Sequence, residues 1–153
     1  MDKHQKSLVA FATGLYTGYA PFAPGTCGSA LAAVLLYFTG SLPTALHVVL
    51  TALLFVGGAL ASERVAKTFG EQDSGKIVID EIVGILITMI GIPFTGYWVT
   101  IGFLVFRFFD ITKPPPARYL DTELKNGWGV MLDDAVAGIY GNILLHLMLR
   151  SSF

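Results

Sequence analysis

Five apolar stretches follow one another along this chain, and charged residues occur almost only outside them. The stretches cover residues 28–38, 42–61, 82–94, 97–109 and 135–149. A helix needs about 20 apolar residues to cross the hydrocarbon of a bilayer, so only the second stretch is long enough by itself. None shows strand-like alternation, and their lengths are typical of helices. The pattern predicts an all-α protein, a small polytopic membrane bundle of about four to five short helices.

The composition supports a membrane location. Charged residues make up 14% of the 153 residues, against about 25% in a soluble domain. The 10 Lys and Arg and 11 Asp and Glu side chains can hardly cover the surface of a domain of this size. We therefore treat residues 1–153 as a single membrane domain. A net charge of −1 argues against a nucleic-acid binder, and the single Cys27 excludes a disulfide framework.

The distribution of basic residues predicts the orientation in the membrane. If residues 39–43 and 91–96 are short turns between antiparallel helices, nine of the ten Lys and Arg residues lie on one side, and only Arg150 lies on the other. Cytoplasmic loops of membrane proteins are enriched in Lys and Arg. The N-terminus and two long loops, residues 62–76 and 110–134, are therefore expected in the cytoplasm. The apolar part of the N-terminal segment is too short and interrupted for a cleaved signal peptide, so we expect it to be retained.

The first of four polar clusters precedes the first apolar stretch. Residues 23–29 combine a Pro-Gly turn with Thr26 and Ser29, either of which could cap the helix that follows. A helix N-terminus presents free backbone N–H groups, which favour a phosphate. A plain N-cap after a turn explains these seven residues at least as well.

The other three clusters place carboxylates beside apolar residues. They occupy residues 76–84, 107–118 and 127–138, and their carboxylates are Asp80, Glu81, Asp110, Asp133 and Asp134. An acidic side chain this close to hydrocarbon costs about 3 kcal/mol or more unless it is paired or binds a metal. Five negative charges at one depth would repel one another. A divalent cation with oxygen ligands, Mg²⁺ before others, would remove that repulsion. For Asp80 and Glu81, the structural alternative is an acidic pair that interacts favourably with the dipole at a helix N-terminus, and we favour the functional interpretation.

Basic residues accompany the carboxylate of the third cluster. Arg107 and Asp110 are three residues apart and therefore share a helix face, and the prolines at 114–116 would end that helix. Taken singly, Arg107, Lys113 and Arg118 could be anchors at the membrane surface. Beside a cation held by carboxylates, they favour a phosphate as the ligand.

Three other interpretations fit the clusters less well. A histidine nucleophile or a zinc site is not supported, because His4, His47 and His146 stand far apart and outside the clusters. A proton- or ion-coupled transporter would carry acids near the bilayer midplane and a paired repeat, and neither is visible. A non-catalytic subunit of a membrane complex would leave the acidic clusters unexplained.

The four clusters together resemble the phosphatidylglycerophosphatase A family. The matching blocks are APGTCGS (residues 23–29), IVIDEIVG (77–84), FRFFDITKPPPAR (106–118) and GWGVMLDDAVAG (127–138). Cys27 stands where that family commonly has a bulky apolar residue, and Pro115 where an aromatic residue is frequent. The resemblance implies a multi-pass enzyme of the cell inner membrane, a Mg²⁺-dependent lipid phosphatase. Its substrate would be phosphatidylglycerophosphate in the cytoplasmic leaflet and its product phosphatidylglycerol, with another lipid phosphate as the alternative substrate.

The resemblance and the residues together predict roles for individual side chains. We expect the metal ligands to be Asp80, Glu81, Asp110, Asp133 and Asp134. We expect the substrate to be bound by Thr26, Ser29, Arg107, Lys113 and Arg118. Arg107 and Lys113 would neutralise charge that develops on the phosphate oxygens. Either Asp80 or Asp134 would act as the base toward the attacking water.

Overall fold

The computed structural model describes residues 2–70 and 74–151, and α-helices form most of that part. The helices are α1 (Lys3–Ala12), α2 (Pro24–Thr39), α3 (Thr44–Phe69), α4 (Ile79–Thr88), α5 (Gly96–Thr112), α6 (Ala117–Glu123) and α7 (Gly127–Ser151). A 3₁₀ turn covers Thr17–Tyr19, and the described residues contain no strand. The prediction of an all-α fold is confirmed.

Each of the five apolar stretches forms a helix, but the described residues contain seven helices where about four to five short ones were expected. The two additional helices, α1 and α6, are not apolar, which is why hydropathy does not reveal them. Helix α1 begins with a reciprocal cap in which Asp2 accepts a hydrogen bond of 2.7 Å from the backbone N–H of Gln5. Helix α6 lies inside the expected loop 110–134. Helix α3 continues to Phe69, and residues 71–73 of the expected loop 62–76 lie outside the described residues.

Two helices, α3 and α7, are long and apolar enough to cross a membrane. Both expose large apolar side chains, including Val49, Leu53 and Val56 on α3 and Ile143 and Leu147 on α7. Such surfaces are suited to lipid rather than to water. Helix α4 has 10 residues, so it is about 15 Å long, which is about half the thickness of the hydrocarbon core of a bilayer.

Helix α4 lies at the centre of the bundle. Seven of its ten residues are buried, and it packs against α2, α3, α5 and α7. Its sequence, IDEIVGILIT, combines branched apolar residues with one glycine. Burial of these apolar side chains therefore holds the first turn of α4, with its two carboxylates, inside the bundle.

Glycine residues allow α4 and α7 to approach backbone to backbone. A Cβ atom added at Gly138 would lie 2.6 Å from the carbonyl oxygen of Gly84, and one added at Gly141 would lie 3.0 Å from the side chain of Thr88. Small residues permit this distance between helices in a membrane. Gly138 and Gly141 therefore allow α4 to lie at this short distance from α7.

Hydrogen bonds fasten the far end of the same two helices. The Nδ2 atom of Asn142 donates to the carbonyl oxygens of Thr88, at 3.0 Å, and Ile90, at 2.8 Å. The Thr88 hydroxyl lies 3.3 Å from the carbonyl oxygen of Gly138, to which it donates. These bonds satisfy carbonyl groups that the end of a helix leaves without partners. They also fix how far α4 can slide along α7.

A methyl group at residue 138 is expected to destabilise the protein. In an open helix, Gly→Ala is stabilising, but Gly138→Ala would force α4 away from α7 and lower the free energy of unfolding by about 1–3 kcal/mol. Gly96→Ala is the control, because a Cβ there meets nothing within 4 Å. Thermal unfolding in detergent would measure both. Equal stability of the two variants would contradict the close contact.

Candidate active site

A cavity of about 350 Å³ lies where the N-terminal ends of α2, α4 and α7 meet the C-terminal end of α5. Its wall includes all five predicted carboxylates and two of the three basic residues that were predicted to bind the substrate, namely Asp80, Glu81, Asp110, Asp133, Asp134, Arg107 and Lys113. The structure therefore brings three separate sequence clusters to one place, together with the start of α2 from the first.

The glycine contact between α4 and α7 explains why Asp80 and Asp134 meet. Gly84 is four residues after Asp80, and Gly138 is four residues after Asp134. Residues four apart lie on the same face of a helix, and both helices run away from the cavity. Each aspartate therefore lies about one helical turn nearer the cavity than the point where the two backbones touch.

Asp80, Glu81 and Asp134 form a compact set of oxygen ligands. One carboxylate oxygen from each lies within 4.8 Å of the other two. Oδ1 of Asp80 and Oε2 of Glu81 are buried without a hydrogen-bond partner among the described residues, an arrangement that costs free energy unless a cation is bound. A set made only of carboxylate oxygens suits Mg²⁺.

The remaining two carboxylates are paired with bases. Arg107 and Asp110 form an ion pair within the last turns of α5, as their spacing predicts. The Nζ atom of Lys113 lies 2.7 Å from Oδ2 of Asp133 and 2.8 Å from Oδ1 of Asp121. Two of the five carboxylates, Asp110 and Asp133, thus form ion pairs with basic side chains. In the part of the chain that the structure describes, the other three form no ion pair with a basic residue.

Lys113 is held in an unusual backbone conformation. It ends α5 with a φ of 43°, in the left-handed region that side chains other than glycine rarely adopt. Burial disfavours the charge of its ammonium group, but the hydrogen bonds to Asp121 and Asp133 outweigh burial and raise the pKa of Lys113 above its usual value. The ammonium therefore remains charged at physiological pH.

The start of α2 forms the remaining side of the cavity. Helix α2 begins at Pro24 without a side-chain cap, so the prediction that Thr26 or Ser29 caps it is wrong. Proline suits the first helical position, and the Ser29 hydroxyl instead donates to the carbonyl oxygen of Gly25 at 2.9 Å. A Cβ on Gly25 would overlap Oε1 of Glu81 and lie 3.3 Å from Nη1 of Arg107. The positive end of this helix therefore faces the site.

Three predicted substrate-binding residues do not line the cavity. Ser29 is buried inside the bundle, Thr26 is half-buried beside the cavity residue Gly25, and Arg118 is exposed on α6. Their roles in binding stay predictions.

Sequence reasoning missed the contribution of α6. Asp121, Leu124 and Lys125 line the cavity, and Asp121 shares Lys113 with Asp133. These residues are neither embedded in apolar sequence nor adjacent to another acid. Only the four-residue spacing of Asp121 and Lys125, which is typical of a helix, distinguishes them from a loop.

Two contacts hold the first turn of α7 in place. The side-chain oxygen of Asn126 accepts hydrogen bonds from the N–H groups of Trp128 and Gly129, at 3.1 and 2.9 Å. Oε2 of Glu63, on α3, accepts from the N–H of Gly127 at 2.9 Å. Both contacts satisfy orphan donors at the helix start and so position the aspartates that follow.

The fold and the site together define a class of protein. It is a helical protein with candidate membrane spans, and its cavity carries carboxylates that suit a divalent cation and basic side chains that suit a phosphate. The phosphatidylglycerophosphatase A family model matches residues 10–149. The chain belongs to this family, as the four sequence blocks indicated.

Individual relatives agree with this assignment. A phosphatidylglycerophosphatase A of Haemophilus influenzae is 39% identical over 136 residues, which are 88% of this chain and 83% of that protein. Its namesake from Escherichia coli is 36% identical over 138 residues, 90% of this chain and 80% of that protein. A Bacteroides thetaiotaomicron protein, provisionally named as a phosphatidylinositol-3-phosphatase, is 39% identical over 147 residues and 90% of each chain. No solved structure matches the chain.

The ion pairs of Lys113 give a testable dependence of stability on pH. Folding raises the pKa of Lys113, so its pairs stabilise the fold below the ordinary lysine pKa of about 10.4, and this contribution is lost as the pH rises toward the folded value. Lys113→Met is therefore expected to be less stable than the wild type at pH 8, with a smaller difference at pH 11. Denaturant unfolding in detergent measures both.

Lys67→Met is the matched control for Lys113→Met. Lys67 lies 3.1 Å from Glu63 in an exposed pair, and such pairs contribute little to stability. The control should therefore resemble the wild type at both pH values. A Lys113→Met deficit that is absent at pH 8, or equal at pH 8 and pH 11, would contradict the assigned pairing.

Proposed function

We propose that this protein is a divalent-cation-dependent lipid phosphatase that hydrolyses the terminal phosphomonoester of phosphatidylglycerophosphate. The observation that carries the proposal is the cavity in which five carboxylates face Arg107 and Lys113. Membership of the phosphatidylglycerophosphatase A family supports the reaction type. The names of the Haemophilus and Escherichia relatives support the substrate. The Bacteroides relative makes phosphatidylinositol 3-phosphate the second candidate.

The cation is proposed to be Mg²⁺ bound by Asp80, Glu81 and Asp134. The support is the 4.8 Å cluster of their oxygens and the unpartnered, buried oxygens of Asp80 and Glu81. When bound, such an ion neutralises negative charge on phosphate oxygens and acidifies water. The sequence also assigned Asp110 and Asp133 to the metal. They are better suited to position the side chains of Arg107 and Lys113, because each already forms an ion pair with one of them.

The phosphate is proposed to lie between the bases and the start of α2. The planar guanidinium of Arg107 can bind two phosphate oxygens at once, and the ammonium of Lys113 supplies a point charge. The N–H groups of Gly25 and Thr26 lie in the first turn of α2 and therefore have no helical acceptors. These donors would stabilise the charge that shifts onto the phosphate during the reaction.

A water molecule then attacks phosphorus, and the bond from phosphorus to the glycerol oxygen breaks. Asp80 or Asp134 accepts the proton of the attacking water through an oxygen that does not bind the cation, and the resulting carboxylic acid gives a proton to the leaving glycerol oxygen, which becomes a hydroxyl group. The products are phosphatidylglycerol and inorganic phosphate. This reaction requires no covalent intermediate on a side chain. In agreement, the described residues that line the cavity include no serine–histidine or cysteine–histidine pair.

The cavity is proposed to face the cytoplasm from a multi-pass protein of the cell inner membrane. Six of the ten basic residues lie at the cavity end of the bundle, near the C-terminal ends of α3 and α5 or between α5 and α7, namely Arg64, Lys67, Arg107, Lys113, Arg118 and Lys125, whereas Arg150 lies at the opposite end of α7. This is the asymmetry expected of a cytoplasmic side. A substrate in the cytoplasmic leaflet would present its terminal phosphate at this level.

Phosphate release from detergent-dispersed lipid tests the proposal. The purified protein should hydrolyse phosphatidylglycerophosphate faster than phosphatidylinositol 3-phosphate or phosphatidic acid, and only with Mg²⁺. Asp80→Asn and Asp134→Asn should each lower kcat by about 10²-fold or more, because each removes a charge at the reacting centre. Glu123→Gln, an exposed acid on α6, should leave kcat unchanged.

Different failures have different meanings. Preference for phosphatidylinositol 3-phosphate would replace the substrate but retain the reaction. Undiminished release by Asp80→Asn and Asp134→Asn, or release unaffected by a chelator, would refute the proposed site. Release from none of the three lipids would refute the phosphatase activity.

A further inference from the structure

A second concave surface, of about 330 Å³, lies between α5 and α7. It is lined by Phe109, Pro114, Tyr140, Ile143, Leu144 and Leu147, and we refer to it as the apolar groove. The one polar side-chain atom among these residues, the Tyr140 hydroxyl, donates to the carbonyl oxygen of Pro115 at 2.5 Å. The ring of Tyr140 packs 5.6 Å from that of Phe109. The groove therefore presents carbon atoms, and the turn after α5 lies at its cavity end.

The apolar groove adjoins the acidic cavity along the chain. Phe109 precedes Asp110, and Pro114 follows Lys113; in each pair, one residue lines the groove and the other lines the cavity. Neighbouring residues of a helix point about 100° apart. The two concave surfaces thus occupy adjacent sides of the same end of α5, and one ligand could extend from one to the other.

If α7 spans the membrane, as its length and hydropathy indicate, the groove lies at the depth of hydrocarbon. Along α7, Tyr140 is six residues beyond Asp134, and Leu147 is thirteen beyond it. These separations correspond to about 9 and 20 Å. Ile143 and Leu147 are 52% and 57% exposed, on a helix long and apolar enough to span a membrane. The groove is therefore open to the acyl-chain region of the bilayer.

We propose that the apolar groove binds one acyl chain of the lipid substrate and thereby positions the headgroup in the cavity. This inference rests on the proposed function, since it assigns the substrate's phosphate to Arg107 and Lys113. In that substrate, two glycerol units and a phosphodiester separate the terminal phosphate from the acyl chains. This linker would have to cover the separation between Asp134 and Tyr140, which is about 9 Å along α7.

Kinetics with and without acyl chains test the groove. The two substrates are diacyl phosphatidylglycerophosphate and its deacylated, water-soluble headgroup, which carries the same phosphomonoester. Leu144→Trp would fill the groove and displace about two methylenes of the chain, so the KM for the diacyl lipid should rise about tenfold. Its kcat, and both constants for the deacylated headgroup, should stay near those of the wild type.

Matched variants separate the groove from general effects. Leu53→Trp makes the same substitution at a 65% exposed residue of α3, outside the groove, and should behave as the wild type with both substrates. Leu147→Trp, at an exposed groove residue, should repeat the effect of Leu144→Trp. It provides the test should Leu144→Trp fail to fold, as judged by thermal unfolding.

Several outcomes would overturn the inference. Equal loss with both substrates would mean a structural effect, and no change with either would mean that only bulk lipid covers the groove. A change of oligomeric state without a change of KM would assign the groove to a second copy of the chain. A wild type that hydrolyses neither substrate would refute the proposed function as well, whereas normal wild-type activity with unaffected groove variants would refute the groove alone.

Discussion

The contact between the backbones of α4 and α7 is the constraint on which the site depends. Gly84 and Gly138 let the two helices touch, and the Asn142 side chain fixes their relative position by bonding the end of α4. Asp80 and Asp134 each precede one of these glycines by four residues, so the contact sets them side by side. A larger residue at either glycine would alter packing and active-site geometry together.

Close approach of carboxylates is unfavourable, and the structure offsets it in two ways. Arg107 pairs with Asp110, and Lys113 pairs with Asp133 and Asp121. The oxygens of the other three carboxylates converge as a cation site would require. Because all five lie at one end of the bundle, they do not form the path through the midplane that a transporter needs. This one-sided arrangement suits the hydrolysis proposed above.

Much of this could be predicted from sequence, because hydropathy and charge spacing report local structure. The five apolar stretches are helices, Arg107 and Asp110 share a face, and the acidic clusters meet in one cavity. The pairing of Lys113 with Asp121 was not predictable, because it depends on the left-handed turn at the end of α5. The apolar groove was hidden for a related reason, since side chains 38 residues apart, from Phe109 to Leu147, form it only after α5 packs on α7.

The proposed mechanism requires a divalent cation and a phosphate to occupy the same cavity. Phosphorus NMR of inorganic phosphate with the purified protein tests this directly when paramagnetic Mn²⁺ replaces Mg²⁺. We expect Mn²⁺ to broaden strongly the signal of phosphate bound to the wild type. Asp80→Asn should abolish this broadening, whereas Glu123→Gln should retain it. Phosphate that binds without being broadened, or broadening that survives Asp80→Asn, would contradict a shared site.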